Sequence, residues 1–502
     1  MLPVLLAACA AVDSVATGAP APITVTDTDT DTDTGTAIEP EVDVLIVGAG
    51  PAGLAAAIEA HRTGVSVRVL EREAVWGGSA AWVGGLLLFS GTSGQATLGV
   101  VDSPAQLLSE WFDITGGDAS DPWVRYFAEN NVAMVHNWLA EMGHVVDAPS
   151  NPDPSAGTTP RIHVSPLDGP PMVDTLGEQL PIDVFHFGAE ALDLEQDADG
   201  RVIGVTWRDV DTEVRTTTYA RAVIVATGGF MHDLDRVRAE RPDLATLDLR
   251  HGSWTGADGN GLAMLEGRGA ATQNLDAIGI YAHGAPAPGA DPEEMFVDLQ
   301  RGVPWVNNEG ARFADETEVN SFPVGSLRAA QPDGDVWMVF DGAVAPTAHF
   351  THTVTEQAYT LEELTDAGLL VSGATLHDLA DALGVPAGTL ETEIASFNAF
   401  SRDEVDDPFR DHPGSARSVV QAPFYALPVA VTIAKGFGGV DTDLSGRVLD
   451  TDGAPIPGLY AAGELTGMAG GSLVGQYGFT GSLSAVMLGG RVAGANAAAA
   501  VD

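Results

Sequence analysis

Residues Glu41–Glu73 read EVDVLIVGAGPAGLAAAIEAHRTGVSVRVLERE, and this stretch decides the fold. Val44–Val47 is an unbroken apolar run, the pattern of a parallel strand buried on both faces. Gly48-Ala49-Gly50-Pro51-Ala52-Gly53 follows and matches G-x-G-x-x-G. In such a turn the glycines allow a tight reversal, close backbone approach to a pyrophosphate and close packing of helix on strand. The helix after it would aim unpaired N–H groups and its positive dipole end at the phosphates. Val65–Leu70 reads as a second strand, and Glu71 at its end is placed to accept from ribose hydroxyls, with Arg72 beside it. A glycine turn that binds nothing is the alternative. The strand before it, the helix after it and the acid beyond argue against that.

The continuation separates a nicotinamide from a flavin. Gly77–Thr92 (GGSAAWVGGLLLFSGT) is a second glycine-rich loop, with Gly77, Gly78, Ser79, Gly84 and Gly85 as backbone candidates. A nicotinamide domain has no need of it, whereas a flavin needs backbone along its ribityl chain and ring. Arg221–Phe230 (RAVIVATGGF) is an apolar strand ending in Ala226, Thr227 and Gly228, and Asp258 lies in a G-A-D-G turn. Pro457–Gly467 (PGLYAAGELTG) is another strand, followed by a glycine and Glu464. Ser482 and Leu483 open the last helical stretch. Ala191 begins ALDLEQDADGRVIGVTWRD, a hairpin with a D-G turn at Asp199-Gly200. Such dispersed strand-to-glycine elements around one long ligand imply non-covalent FAD. No metal site is expected.

Composition narrows the partners. The formal net charge is −47, so nucleic acid and anionic lipid surfaces are repelled. The 502 residues include one cysteine, Cys9, which excludes an intrachain disulfide. Leu6-Ala7-Ala8-Cys9 has the form of a bacterial lipobox, and residues 10–41, with TDTDTDTDTGT at 26–36, have the composition of a disordered acidic linker. The expectation is a lipid-anchored or periplasmic protein of the cell envelope, touching the membrane only through that anchor. A cytoplasmic protein with a chance apolar N-terminus is the alternative.

Taken together, the glycine turns, VNNEGARFADE at 306–316, GADGNGLAMLEGRGAATQN at 256–274 and TGSLSAVMLGGRVAG at 480–494 resemble the flavoprotein family of fumarate reductases, succinate dehydrogenase flavoprotein subunits and 3-ketosteroid dehydrogenases. The resemblance runs from about Val42 to the C-terminus. It implies an α/β fold, a Rossmann-like FAD-binding domain (42–278 and 434–502) interrupted by an α+β cap domain (279–433). Within the cap, TLHDLADALG and TLETEIASFNAF read as amphipathic helices, the second capped by Thr389 with Ile394, Phe397 and Phe400 on one face. Ser150–Pro171 reads as an exposed loop.

The resemblance also implies hydride transfer between flavin N5 and a carbon–carbon bond next to a carbonyl, with a proton handled on the neighbouring carbon. This chain departs from the fumarate reductase pattern. Ala434 and Lys435 stand where that family has two histidines, Gly471–Gly478 carries no arginine, and the proton-donor position falls near Asn320. A neutral, apolar, steroid-like substrate is therefore expected, undergoing desaturation or enone reduction, on the ketosteroid dehydrogenase side of the family. Lys435 is the single lysine of the chain, beside twenty-two arginines, and is expected to set its ammonium near the flavin or the substrate oxygen. Asp298 and Arg301 resemble the family's E-x-x-R proton step and are expected to pair. Tyr477, Tyr281 and His283 are the further candidates for substrate chemistry. The electron donor or acceptor is a separate molecule, a quinone or a redox protein, since C-x-x-C-H is absent. An envelope FAD protein that only passes electrons, and a degenerate member that only binds FAD, are the alternative functions.

Overall fold

The computed structural model describes residues 37–81, 85–146, 149, 159–165, 171–282, 284–289, 292–318, 322–331, 334–353, 355–467 and 481–501. Cys9, the acidic tract up to residue 36, Gly84, His283, Asn320 and Tyr477 lie outside them.

A parallel sheet organises the chain. Its order is Phe185–Phe187, Val67–Glu71, Ala37–Val47, Arg215–Val225 and Pro455–Ala461, with Arg447–Leu449 antiparallel on the far edge. Val44 pairs with Val67 on one side and Ala222 on the other, and Val44–Ile46 are fully buried. With both faces covered, an unbroken apolar run is stable where an alternating one would bury polar groups. The strand begins at Ala37, inside the stretch that composition assigns to the linker. Ile38 and Glu39 pair with Thr217 and Thr218, and the Thr218 hydroxyl donates to the Glu39 carboxylate. The hairpin Ala189–Gln196 and Val202–Asp209 forms as expected, with Gly200 at φ 79° in its turn.

The helix Pro51–Arg62 leaves the glycine turn and buries Ala55, Ala56 and Ala57 completely. Against it lies the last helix, Leu483–Ala499. A Cβ at Gly490 would stand 2.2 Å from the Ala52 carbonyl oxygen, and one at Gly494 2.2 Å from that of Ala56. Small residues four apart on both helices therefore bring the two backbones together, which seats Ser482 and Leu483 close to the glycine turn.

The region between Ala282 and Val429 has its own apolar cores. One includes Met295, Trp305, Phe340 and Leu427; a second includes Val306, Leu379, Leu390 and Ile394. Helix Leu376–Leu383 is capped by Thr375, whose hydroxyl accepts from the Asp378 N–H. The next helix runs Ala387–Ser401 with Pro386 before it, so Thr389 lies inside the first turn rather than at the cap. Proline at that point already sets the chain for helix entry. Ile394, Phe397 and Phe400 are buried as expected.

Ile278–Tyr281 and Val431–Gly436 carry the chain into and out of this region, and they pair antiparallel, with Gly279 opposite Lys435. Leu249–His251 joins them in parallel. The described part of Ser150–Pro171 is not an exposed loop. Ile162–Val164 pairs with Leu86–Leu88, and Arg161 is fully buried between Asp102 (2.9 Å) and Glu110 (2.7 Å). Charge pairing on two sides makes burial of that guanidinium tolerable.

Candidate active site

The glycine turn has the shape of a phosphate cradle. Gly48 and Gly53 are packed tight: a Cβ at Gly53 would stand 1.9 Å from the Gly48 oxygen, and one at Gly48 2.6 Å from that of Ala226. At Gly50, by contrast, a Cβ would meet nothing within 4 Å. The helix that starts at Pro51 has no side chain capping its N-terminus. An open position at the middle glycine and an uncapped N-terminus beside it suit a pyrophosphate. Gly78 comes back over the turn, its Cβ position 3.4 Å from Gly50 Cα, and Gly77 N–H donates to the Ala49 oxygen at 2.9 Å. Ser79 follows in the short turn Gly78–Ala81, and Gly85 packs on Ser165.

Glu71 is 7% exposed and accepts from the Ala49 N–H at 2.6 Å and the Glu73 N–H at 2.8 Å. Burial pushes its carboxyl up, and these two donors pull it back. Each oxygen keeps a lone pair for a ribose hydroxyl. Arg72 turns away to Asp258 and Glu73, so the two sequence candidates Arg72 and Asp258 meet as an ion pair. Ala191 lies on the adjoining hairpin, opposite Trp207. The Ala226 N–H donates to the Val47 oxygen, and Thr227 holds a buried hydroxyl that finds no hydrogen-bond partner among the described residues. Next to it a Cβ at Gly228 would meet open space. An orphaned hydroxyl and two glycines facing empty volume fit a long polar cofactor, and FAD is such a group.

At the far end of this path three elements converge. Lys435 Nζ donates to Ser482 Oγ at 3.3 Å, and Ser482 bridges Leu87 of the second glycine loop. Glu464 accepts from the Gly436 N–H at 2.9 Å and lies against Gly229. Burial lowers the Lys435 pKa, with Glu464 opposing, and burial raises that of Glu464, with the Gly436 N–H and then Lys435 opposing. The two charges compensate one another without touching: among the described residues Lys435 makes no ion pair within 4.0 Å. Leu483 begins the last helix directly after Ser482.

Tyr281 stacks on Phe322 at 4.9 Å and 10°, and Phe322 meets Phe437 edge-on at 5.0 Å. Phe322 and Phe437 both pack on Gly279, which lies opposite Lys435 in the ladder, so the stack stands beside that crossing, and Tyr281 is its partly exposed end. Asp298 and Arg301 do not pair. The chain from Asp298 to Gly302 is a turn, and the Asp298 carboxylate accepts from the His349 N–H at 3.0 Å and lies 2.7 Å from His349 Nδ1. Sequence reading missed Phe322 and Phe437, although Phe437 stands two residues from Lys435. It also missed His232 and His251, which stack at 3.8 Å just beyond the Thr227–Gly229 turn.

These features form a cradle that fits FAD, and together with its relatives they make the chain an FAD-dependent oxidoreductase that acts on CH–CH bonds. The FAD binding domain family model matches residues 43–476, and the chain belongs to that family. It is 30% identical to the urocanate reductase of Eggerthella lenta, over 91% of this chain and 75% of that protein. A flavocytochrome c3 fumarate reductase solved in an open conformation superposes with a TM-score of 0.68 at 25% identity, over 92% of this chain and 78% of that one. The 3-ketosteroid-Δ4-(5α)-dehydrogenase of Rhodococcus jostii RHA1 superposes at 0.70 and 25%, over 93% and 98%.

Proposed function

We propose that this protein reduces the carbon–carbon double bond of a conjugated, enoate-type compound carrying a single carbonyl or carboxylate group and an apolar body. The observation that carries the reading is Lys435, a lone ammonium held by Ser482 at the far end of the FAD path. It supports charge stabilisation on one substrate oxygen as the bond is reduced. The reaction adds two electrons and two protons across the bond, and FAD, when bound and reduced, would supply the hydride to one carbon. His283 and Tyr477 are the candidates to deliver the proton to its neighbour. The Tyr281–Phe322–Phe437 stack supports an apolar substrate body. The similarity to a urocanate reductase supports an unsaturated acid. Electrons come from a separate donor.

A flat apolar enone of the ketosteroid kind is the second reading, favoured by the same aromatic stack. One experiment tests both. Purified holoenzyme is reduced anaerobically with dithionite, then mixed with urocanate, acrylate, fumarate or 4-androstene-3,17-dione while flavin absorbance is followed. Fast return of the oxidised spectrum with a conjugated monocarboxylate is expected. Return only with the steroid would replace the first reading by the second, and return with none would remove both.

A further inference from the structure

The strand Leu86–Leu88 carries the second glycine loop to the site, and it is held on both sides. On one side Leu87 bridges Ser482, and the Leu88 N–H donates to the Gly481 oxygen at 3.0 Å. Lys435 is bonded to that same Ser482. On the other side the strand pairs with Ile162–Val164. Beyond that pairing the Ser165 N–H donates to the Gly85 oxygen at 3.0 Å, and a Cβ at Gly85 would stand 2.5 Å from the Ser165 Cβ. Ser165 therefore sets where the strand begins. The other end of the same loop lies on the phosphate turn, with the Gly78 Cβ position 3.4 Å from Gly50 Cα.

Ser165 Oγ lies 2.8 Å from His144 Nε2, and the two residues are 8% and 5% exposed. A hydroxyl and an imidazole at this distance are the parts of a nucleophile and its base. Here both are buried and Ser165 is pressed on Gly85, so the bond positions rather than reacts. Burial lowers the His144 pKa, which keeps the ring neutral at pH 7.

His144 is itself firmly placed. It follows the helix Asn137–Glu141 through Gly143 at φ 90°, and its N–H donates back to the Leu139 oxygen at 2.9 Å, closing a left-handed cap. Trp138 in that helix lies under Arg491, whose guanidinium carbon stands 4.8 Å from the ring centroid. Arg491 belongs to the last helix, and Ser482 directly precedes that helix. These contacts form a closed circuit: from the last helix through Trp138, His144, Ser165, Gly85 and Leu87, and back to Ser482. The His144–Ser165 contact is the one hydrogen bond between side chains within it.

We propose that His144 is a positioning residue of the cofactor site: its hydrogen bond to Ser165 fixes Gly85 and the strand Leu86–Leu88 against Gly481 and Ser482, and so keeps the second glycine loop seated on bound FAD. The role is the same whichever double bond is reduced.

The test reads cofactor release rather than turnover. Oxidised holoenzyme is diluted into flavin-free buffer, and the departure of FAD is followed by its fluorescence. His144→Phe keeps a ring but not the bond, and Ser165→Ala removes only the hydroxyl. Each should release FAD about tenfold faster than wild type, the loss expected for one buried hydrogen bond. The double variant should release it no faster than the single variants, because both remove the same bond. His144→Gln sets an amide at the place of Nε2 and should recover most of the wild-type rate, which a general loosening of the core would not give. Unchanged release in both single variants, effects that multiply in the double variant, or no recovery in His144→Gln would each overturn the proposal. If His144→Phe and Ser165→Ala purify without FAD, the flavin content of His144→Gln decides: retention supports the role and loss overturns it.

Discussion

Two glycines three residues apart make opposite demands. Gly50 faces open space, so Gly50→Val should leave the chain folded and fill the volume a pyrophosphate needs. Gly53 touches the Gly48 oxygen, so Gly53→Val should disrupt the turn itself. Flavin absorbance and thermal unfolding separate them: Gly50→Val should lose flavin while keeping a cooperative transition, and Gly53→Val should lose both. Full flavin occupancy in Gly50→Val would disprove the cradle assignment. His163 gives a second prediction. Its Nδ1–H donates to the Arg161 oxygen at 2.8 Å, and its Nε2 accepts from the Thr92 hydroxyl at 3.0 Å. Burial, chiefly, lowers its pKa from 6.5 to about 4, so the folded state keeps it neutral. Below pH 6.5 the unfolded chain binds a proton that the folded chain refuses. Stability should fall as pH drops from 6.5 to about 4, by up to ~3 kcal/mol from this group. His163→Gln should flatten that slope in urea unfolding at stepped pH, and an unchanged slope would exclude the assignment. At this scale the sequence was legible where local spacing decides, as at Glu71. Asp298 defeated it because its partner, His349, comes from a segment far along the chain that only the fold brings near.

Between helices, the deciding signal is the size of side chains at matching positions. Gly490 and Gly494 meet the Ala52 and Ala56 carbonyls, a contact that any larger residue would force apart. Gly494→Val should destabilise the fold by roughly 1–3 kcal/mol through overpacking, despite valine being more hydrophobic. It should also weaken FAD retention, because Ser482 and Leu483 ride on the same helix. Urea midpoints and flavin content after dialysis measure the two effects, and unchanged values of both would show that the helices tolerate wider spacing. The small-residue rows of both helices were visible in the sequence, but their pairing was not, since it joins residues at opposite ends of the chain. Similarly, the helix Ala387–Ser401 was legible from Ile394, Phe397 and Phe400, while its start was misplaced. Threonine is a good cap, and Pro386 three residues earlier had already fixed the entry.

Across the whole molecule, the parallel sheet followed from Val44–Val47 and the strand-to-glycine repeats, because buried parallel strands leave unbroken apolar runs. The polar interior around Arg161 did not follow. A buried arginine reads as surface until Asp102 and Glu110 are placed around it. The pairing of Ile278–Tyr281 with Val431–Gly436 has one more consequence. Tyr281 and Thr432 face each other across a ladder, so everything between them leaves and rejoins the flavin-binding part through adjacent points, roughly 5 Å apart. Such an insertion is a cassette. A shuffling event that replaced residues between those two points would join two ends already side by side, leaving the Gly48–Gly53 turn and the Lys435–Glu464 couple in place. New substrate preferences could then arise by exchange of one segment rather than by many separate point changes.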